Sequence, residues 1–334
     1  MIKSTIIVAA IAFAIIKLKM GLFKPKDRTA QGVAKIRHAE TILEDPSQRL
    51  YEDPYAKYMF FGSSVQTLMG GERVRNLMGR VQVGMFDVIT LRTKWIDDEI
   101  MTAANSKTVQ QLLILGAGYD TRGFRLNLPD GFFTLEVDQP EVQASKLSKL
   151  RYIAKTDETV ASRFDSSNTH GPKVEHVSIN FNTDSISKET IADPTSLDSA
   201  KPTIVTLEGV TQYIPDTSTA STLKDVHSLL PEGSLLLISY VPDAFYDRTN
   251  KTEKALKQLD RFLKLMALTE PWITSWSPEA FESFLKECGF QVISDVSVEE
   301  LNAKYLVERK RGLAEHEKLE LERYVVAKIV KDDE

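Results

Sequence analysis

The sequence predicts an α/β fold: a mostly parallel sheet with helices on both faces. Two observations carry that expectation. Short apolar runs, several closed by glycine, alternate with stretches whose apolar residues recur at helical spacing. The first such run ends in "GAG" at Gly116–Gly118, beyond the carboxyl end of a strand, where sheets of this kind hold ligands. With 334 residues, 42% hydrophobic and 27% charged, the chain suits one large domain or two small ones.

The elements follow in order. Thr5–Ile16, "TIIVAAIAFAII", is an unbroken apolar run. Extended to residues 4–23, with Lys17 and Lys19 snorkelling, it just reaches the roughly 20 residues that a spanning helix needs. No small-residue cleavage site follows, so a membrane anchor is expected ahead of a signal peptide or a buried or interfacial helix. Lys17, Lys19, Lys24, Lys26 and Arg28 lie after the run, which keeps the following domain on the cytoplasmic side. A plainly cytoplasmic protein is the alternative. The expected division is therefore an anchor over residues 1–23 and one domain over 24–334.

Strands are expected at Gln110–Gly116, Gly131–Asp138, Val174–Phe181, Pro202–Gly209 and Ser234–Val241, with two late strands in "QVISDVS" and "ERYVVAKIV". Seven strands with the last pair added late suit a Rossmann-like sheet. Helices are expected from Pro140 to about Ala154, over "TASTLKDVHSLLPEG", and over Lys251–Leu268. Another follows Ser277 as N-cap with Pro278 at its first position, ending at Gly289. Its apolar stripe places Cys288 in the core. Asp157–Pro172 and Asp193–Pro202 read as polar loops.

Composition excludes several classes. A net charge of −5 without a basic face argues against a nucleic-acid partner. One cysteine allows no intrachain disulfide, and five histidines without ligand spacing argue against a metal site.

The glycine turn admits three ligands. No Gly-Lys-Ser/Thr follows it, which removes a nucleoside triphosphate. A dinucleotide turn needs a third glycine where Thr121 stands, and Asp120 sets a carboxylate beside the pyrophosphate position. A cationic sulfonium tolerates that carboxylate. Asp138, twenty residues after Gly118, ends the second strand where an acid accepts ribose hydroxyls; Glu136, on the same strand face, is the fallback.

"LGAGYDTRGFRL", "LEVDQPEV" and "PTIVTLEGVTQYI", preceded by "RTAQGVAKIRHAE" with "YEDPYAKYM" and by "ITLRTKWIDDEI", resemble the leucine carboxyl methyltransferase family in order and spacing. The resemblance runs from Arg28 to the last strand. It implies a Rossmann-like class I methyltransferase fold with extra N-terminal helices and a helical insertion as a lid. It implies S-adenosylmethionine as cofactor and an O-methyltransferase of the small-molecule, polyketide-type branch. Methylation of a protein's C-terminal leucine carboxylate is the alternative; a catalytically idle, membrane-tethered binding module is the alternative of another class. A monomer is expected.

Residue by residue, the resemblance places Arg92 on the methionine carboxylate of the cofactor, as a clamp whose replacement by Lys leaves the unliganded fold little changed. Arg37 is a second base for the same carboxylate. Gly116 and Gly118 lie beneath the methionine portion, Asp138 on the ribose, and Glu208 near the methionine amino group or the site floor. The adenine position, usually Asp, falls on Asn180, followed by Phe181; the amide oxygen still accepts from an amino group, without the charge. Tyr119 and Tyr213 are substrate candidates. Trp95, Tyr240, Phe245 and Trp272 are readable as pocket or as packing. No catalytic acid or base is assigned. A carboxylate acceptor is ionised near neutral pH and needs none, whereas a hydroxyl wants one.

Overall fold

The computed structural model describes residues 28–81, 84–165, 171–181, 183–249, 251–267, 271–314 and 320–331. The apolar segment 4–23, expected as a membrane anchor, lies outside them; among the described residues no helix is long and apolar enough to cross a membrane.

Among the described residues four α-helices precede the sheet: α1 (Arg28–Thr41), α2 (Ser63–Met69), α3 (Gly71–Val81) and α4 (Met85–Asn105). The alternating part follows as β1 (Gln111–Leu115), α5 (Arg122–Arg125), β2 (Phe133–Asp138), α6 (Pro140–Ile153), α7 (Glu158–Phe164), β3 (Lys173–Ser178), β4 (Thr203–Leu207), α8 (Asp216–Leu229) and β5 (Leu235–Tyr240). It closes with α9 (Glu253–Ala267), α10 (Pro278–Glu287), β6 (Phe290–Ser297), α11 (Val298–Leu301) and β7 (Arg323–Ile329).

The seven strands form one sheet in the order β3-β2-β1-β4-β5-β7-β6. β7 runs antiparallel between β5 and β6, and the rest is parallel. This is the Rossmann-like arrangement of the class I methyltransferase fold. β1 shows why its run is continuously apolar: Leu112 and Ile114 enter one core, Leu113 and Leu115 the other. Leu115 pairs with Val137 on one side and Leu207 on the other, so β1, β2 and β4 end level. Chain order reverses between β1 and β4, which opens a crevice at those ends.

Three local expectations differ. Within Asp157–Pro172, read as a loop, α7 forms: Asp157 accepts from the Val160 N–H at 3.0 Å, and fully buried Val160 packs with Tyr55, Phe124 and Leu150. Phe164 at the end of the helix joins the same cluster, its ring 5.4 Å from that of Phe124. β3 stops at Ser178 rather than Phe181, because the Asn180 N–H donates to Asp184 at 2.9 Å and turns the chain. Strand-end Glu136 is fully buried, 2.6 Å from Lys146 Nζ and 3.0 Å from His176 Nε2, so it is closed off as a fallback for the ribose. Ser277 caps α10 through the Ala280 N–H, and Cys288 is buried.

Candidate active site

A cavity of about 770 Å³ opens at the carboxyl ends of β1, β2 and β4. Ligand pockets run about 300–1,000 Å³, so this one is large enough to seat a cofactor with an acceptor beside it. Its walls differ in chemistry. One is made by the turn Gly116–Asp120, by Asp138 and Gln139, and by Arg37, Arg92, Glu208 and Glu322. The other is apolar, from Val33 and Ile36 of α1, Met78 of α3, and Met85, Val88 and Ile89 of α4.

The turn after β1 needs its glycines. Gly116 (φ +69°) and Gly118 (φ +45°) are left-handed, and a Cβ on Gly116 would lie 2.8 Å from Val210 Cγ2. The Gly118 N–H donates to Asp138 Oδ2, and the Gln139 N–H to Asp138 Oδ1. Burial pushes the Asp138 carboxyl up, and those two N–H groups partly offset it. Each carboxylate oxygen keeps a further lone pair for a ligand hydroxyl.

Beneath the cavity lies a continuous ladder of ion pairs. Arg37 bonds Asp53 at 2.8 Å and the carbonyl of Tyr119. Asp53 lies 3.8 Å from Arg125, which bonds Asp97 at 2.7 Å. Asp97 accepts from Arg122 at 2.7 Å. Arg122 also holds Asp120 and, at 2.6 Å, Glu208. Glu208 accepts from Arg92 Nε at 2.7 Å, and Arg92 Nη1 donates to both oxygens of Glu322 at 2.7 and 2.8 Å. Four arginines face five carboxylates, a formal charge of −1. Burial opposes every charge in it. For Asp120, burial is the largest single effect, but Arg122, Lys146, Arg37 and the Arg122 N–H together outweigh it and hold the carboxyl well below its usual range; Glu208 is likewise held down by Arg122 and Arg92 together. At Glu322 burial wins over Arg92 and the carboxyl is pushed up.

The structure brings Arg37, Arg92, Gly116, Gly118, Tyr119, Asp138, Phe181, Glu208 and Tyr213 to this one cavity. Asn180 does not line it. Arg92 is not an open clamp: two carboxylates occupy its Nε and Nη1, leaving Nη2, over Gly209, outside those bonds. Arg37 is similarly engaged. The ring of Tyr119 is buried with Ala34 and Tyr55, and its hydroxyl lies 2.7 Å from Ser145, so that side chain belongs to the core. Trp95, Tyr240 and Phe245 are core residues as well.

Among the described residues, none of α9 lines the cavity, where a helical lid was expected. Leu259 and Phe262 pack inward, the latter 5.6 Å from the Phe245 ring. The wall comes instead from Pro271–Ile273, pinned where the Ile273 N–H donates to the Gln212 carbonyl at 2.8 Å. Residues not singled out from the sequence are Glu322, Arg122, Arg125, Asp97 and Asp53. The last four sit inside the motifs already quoted, as the charges of "DTRGFRL", "IDDEI" and "YEDPY".

Residues 30–227 match the model of the leucine carboxyl methyltransferase family. A protein of Mycobacterium avium (strain 104), named "Putative S-adenosyl-L-methionine-dependent methyltransferase", is 29% identical over 294 residues, covering 83% of this chain and 87% of its own. A protein of Mycobacterium marinum (strain ATCC BAA-535 / M) with the same name is 30% identical over 232 residues, 66% of each chain. Among solved structures, a DUF574 family protein from Streptomyces avermitilis MA-4680 superposes with a TM-score of 0.54 at 14% identity, covering 88% of this chain and 100% of its own, a likeness of fold. With more than half its length matched by the family model, the chain belongs to the leucine carboxyl methyltransferase family.

Proposed function

We propose that the chain is an O-methyltransferase acting on a carboxylate or hydroxyl of a small molecule. It is a methyltransferase by family, and S-adenosylmethionine is its cofactor. The residues present fit that cofactor. Two left-handed glycines let backbone approach it, Asp138 has lone pairs for a ribose, and the ladder's excess negative charge suits a cation. Bound there, S-adenosylmethionine supplies an electrophilic methyl on a sulfonium, which an acceptor oxygen takes as the C–S electron pair stays on sulfur.

The chain's own work is positioning and exclusion of water. Asp138 would hold the ribose, and Phe181 the adenine side. Arg92 Nη2 would meet the carboxylate of the methionine portion, with Glu208 near its ammonium. The apolar wall of Val33, Ile36, Met78 and Met85 excludes water from the acceptor oxygen. Among the described residues no histidine lines the cavity, and an acceptor already ionised needs none. Glu322, buried and pushed up, is the group best placed to take a proton from a hydroxyl acceptor.

The observation carrying this reading is the meeting of a ladder-backed polar wall and an apolar wall in one cavity. The test is incubation of the full chain with methyl-labelled cofactor and a panel of small carboxylic acids and phenols. Label extracted as a small ester or ether supports it. Label found only in protein favours the leucine carboxylate reading, and cofactor binding without any transfer favours the idle module. In the same proposal, residues 1–23 anchor the domain of residues 24–334 to the cytoplasmic face of a membrane.

A further inference from the structure

An unexplained apolar surface lies on the N-terminal helices. Phe61, Val65, Leu68 and Leu77 are 85, 63, 87 and 52% exposed. Isolated exposed apolar residues are ordinary, but four on adjoining elements are not. Beside them the exposed rings of Tyr58 and Tyr152 pair at 6.4 Å, with Lys57 over Tyr58. Aromatic rings with polar tips suit a membrane interface.

Packing places this surface relative to the cavity. α2 lies on the middle of α1: Gln66 donates to the Lys35 carbonyl at 2.7 Å, and Thr67 meets His38 at 2.9 Å. α3 then runs back along α1. It starts where the Gly71 N–H donates to the Ile42 carbonyl, and its Met78 packs in one cluster with Val33. The far end of α3 thus reaches the start of α1. Thr29, Ala30 and Met78 line the cavity at that point, and Leu77, one residue before Met78, is exposed. The cavity rim and the apolar surface share an edge.

The chain outside the described residues selects the occupant. No charged residue occurs between Lys3 and Lys17, so the segment offers no polar face to turn outward. Folded back on α2–α3, it would still expose apolar surface; a bilayer covers it on all sides. Lys17, Lys19, Lys24, Lys26 and Arg28 follow the apolar run with only Asp27 against them, a charge pattern complementary to anionic headgroups. The five residues from Lys24 to Arg28 span at most about 18 Å, so the basic stretch is tethered close to the cavity rim at the start of α1. The acidic pair Glu44 and Glu72 sits at the other end of α1.

We propose that the outer face of α2 and α3 lies on an anionic lipid surface, and that the acceptor is a lipophilic acid or alcohol. It enters the cavity from the bilayer between the start of α1 and the end of α3. The acceptor class rests on the methyl-transfer reading above; the docking does not.

The test uses the full chain with Cys288→Ala, so that single cysteines can carry a polarity-sensitive fluorophore. Leu68→Cys and Leu77→Cys report the surface, and Ile293→Cys on β6 is the control. On adding phosphatidylcholine–phosphatidylglycerol vesicles, the labels at positions 68 and 77 shift to the blue and a lipid-borne quencher reaches them, while position 293 does not change. Equal response at all three positions, or none, overturns the docking. Blue emission before any vesicle is added, unchanged afterwards, means that the N-terminal segment or a second copy covers the face, and also overturns it. Retained S-adenosylhomocysteine binding certifies that each labelled variant is folded. For the acceptor, transfer to a long-chain acid in vesicles exceeds transfer to its short-chain analogue by at least roughly tenfold, since chain burial scales with methylenes. Phe61→Glu with Leu68→Glu and Leu77→Glu removes that preference and spares the short-chain rate. If the labels respond but no acid or alcohol is methylated, the functional reading fails and the docking stands. If short-chain acids are methylated as well as long ones, the lipophilic acceptor is wrong.

Discussion

Replacing Arg92 by Met tests whether the ion-pair ladder holds the fold as well as the ligand. The side chain removed bonds Glu208 at 2.7 Å and both oxygens of Glu322 at 2.7 and 2.8 Å. Glu208 keeps Arg122 at 2.6 Å, whereas Glu322, 3% exposed, keeps no cation, only neutral hydroxyls, Ser239 at 3.4 Å and Tyr324. The loss therefore falls on Glu322. Removing one partner of a buried pair costs about 3–5 kcal/mol, because the other charge stays in a poor solvent. Urea unfolding at pH 7 should show a deficit of that size. Arg92→Met combined with Glu322→Gln should recover most of it, a coupling well above the ~0.5 kcal/mol of independent sites. The sign with pH follows from Glu322, already raised above its ordinary value of 4.5 and raised further without Arg92. An acid whose folded pKa exceeds the unfolded one binds a proton on folding, so the deficit is largest at neutral pH and shrinks on acidification. A deficit below about 1 kcal/mol, or a double variant no better than the single, refutes the argument. The expectation of an Arg92 clamp that can be changed without touching the fold is thereby replaced.

Asp138→Ala should weaken S-adenosylhomocysteine by about 1–3 kcal/mol in calorimetry, as expected for hydrogen bonds to a charged group; unchanged affinity removes Asp138 from the ribose. Gly116→Ala should lower both stability and affinity, by about 1–2 kcal/mol from the left-handed backbone alone, with the Val210 contact in addition. Acid should unfold the protein through Asp53, Asp120 and Glu208: their contribution is complete above the ordinary values of 3.8 and 4.5 and is lost as pH falls toward their lowered folded values. Circular dichroism along an acid titration checks this, and a midpoint unmoved by Asp53→Asn contradicts it. Full-length protein should stay with membranes through a carbonate wash; release into the supernatant disproves the anchor of residues 1–23.

The sheet was legible because its strands carry two buried faces. A run such as "QLLIL" has no other reading beside a glycine turn, and each of the seven expected strands is present within a few residues. α7 was not legible, since its formation rests on one cap and two apolar side chains, Val160 and Phe164, in a polar stretch. The cavity's polar wall was readable at Gly116, Gly118, Asp138 and Glu208, each tied to a strand end. Glu322 was hidden for a physical reason. It precedes β7, and β7 reaches Arg92 only because it inserts between β5 and β6, 230 residues away in sequence. Arg92 was found as a cation for a ligand because charge is visible in sequence, whereas the carboxylates that neutralise it come from distant elements.

The ladder also explains how helices outside the sheet form a wall with the right geometry. α1 and α4 precede β1, and apolar packing alone leaves their height along the sheet weakly specified. Each arginine pins a different junction. Arg37 ties α1 to Asp53 and to the carbonyl of Tyr119 in the glycine turn. Arg122 ties that turn to Asp97 on α4 and Glu208 after β4, and Arg92 ties α4 to the ends of β4 and β7. Hydrogen bonds near 2.7 Å with fixed forks tolerate little sliding. Such a network yields little net stability, since burial offsets most of the attraction between its charges. What it provides is position: the apolar helices and the glycine turn keep one spacing before any ligand arrives. With five carboxylates to four arginines, it also leaves the cavity floor complementary to a cation. A methyl donor that arrives positive and leaves neutral is favoured more strongly before transfer than after it, so the same imbalance assists release of S-adenosylhomocysteine.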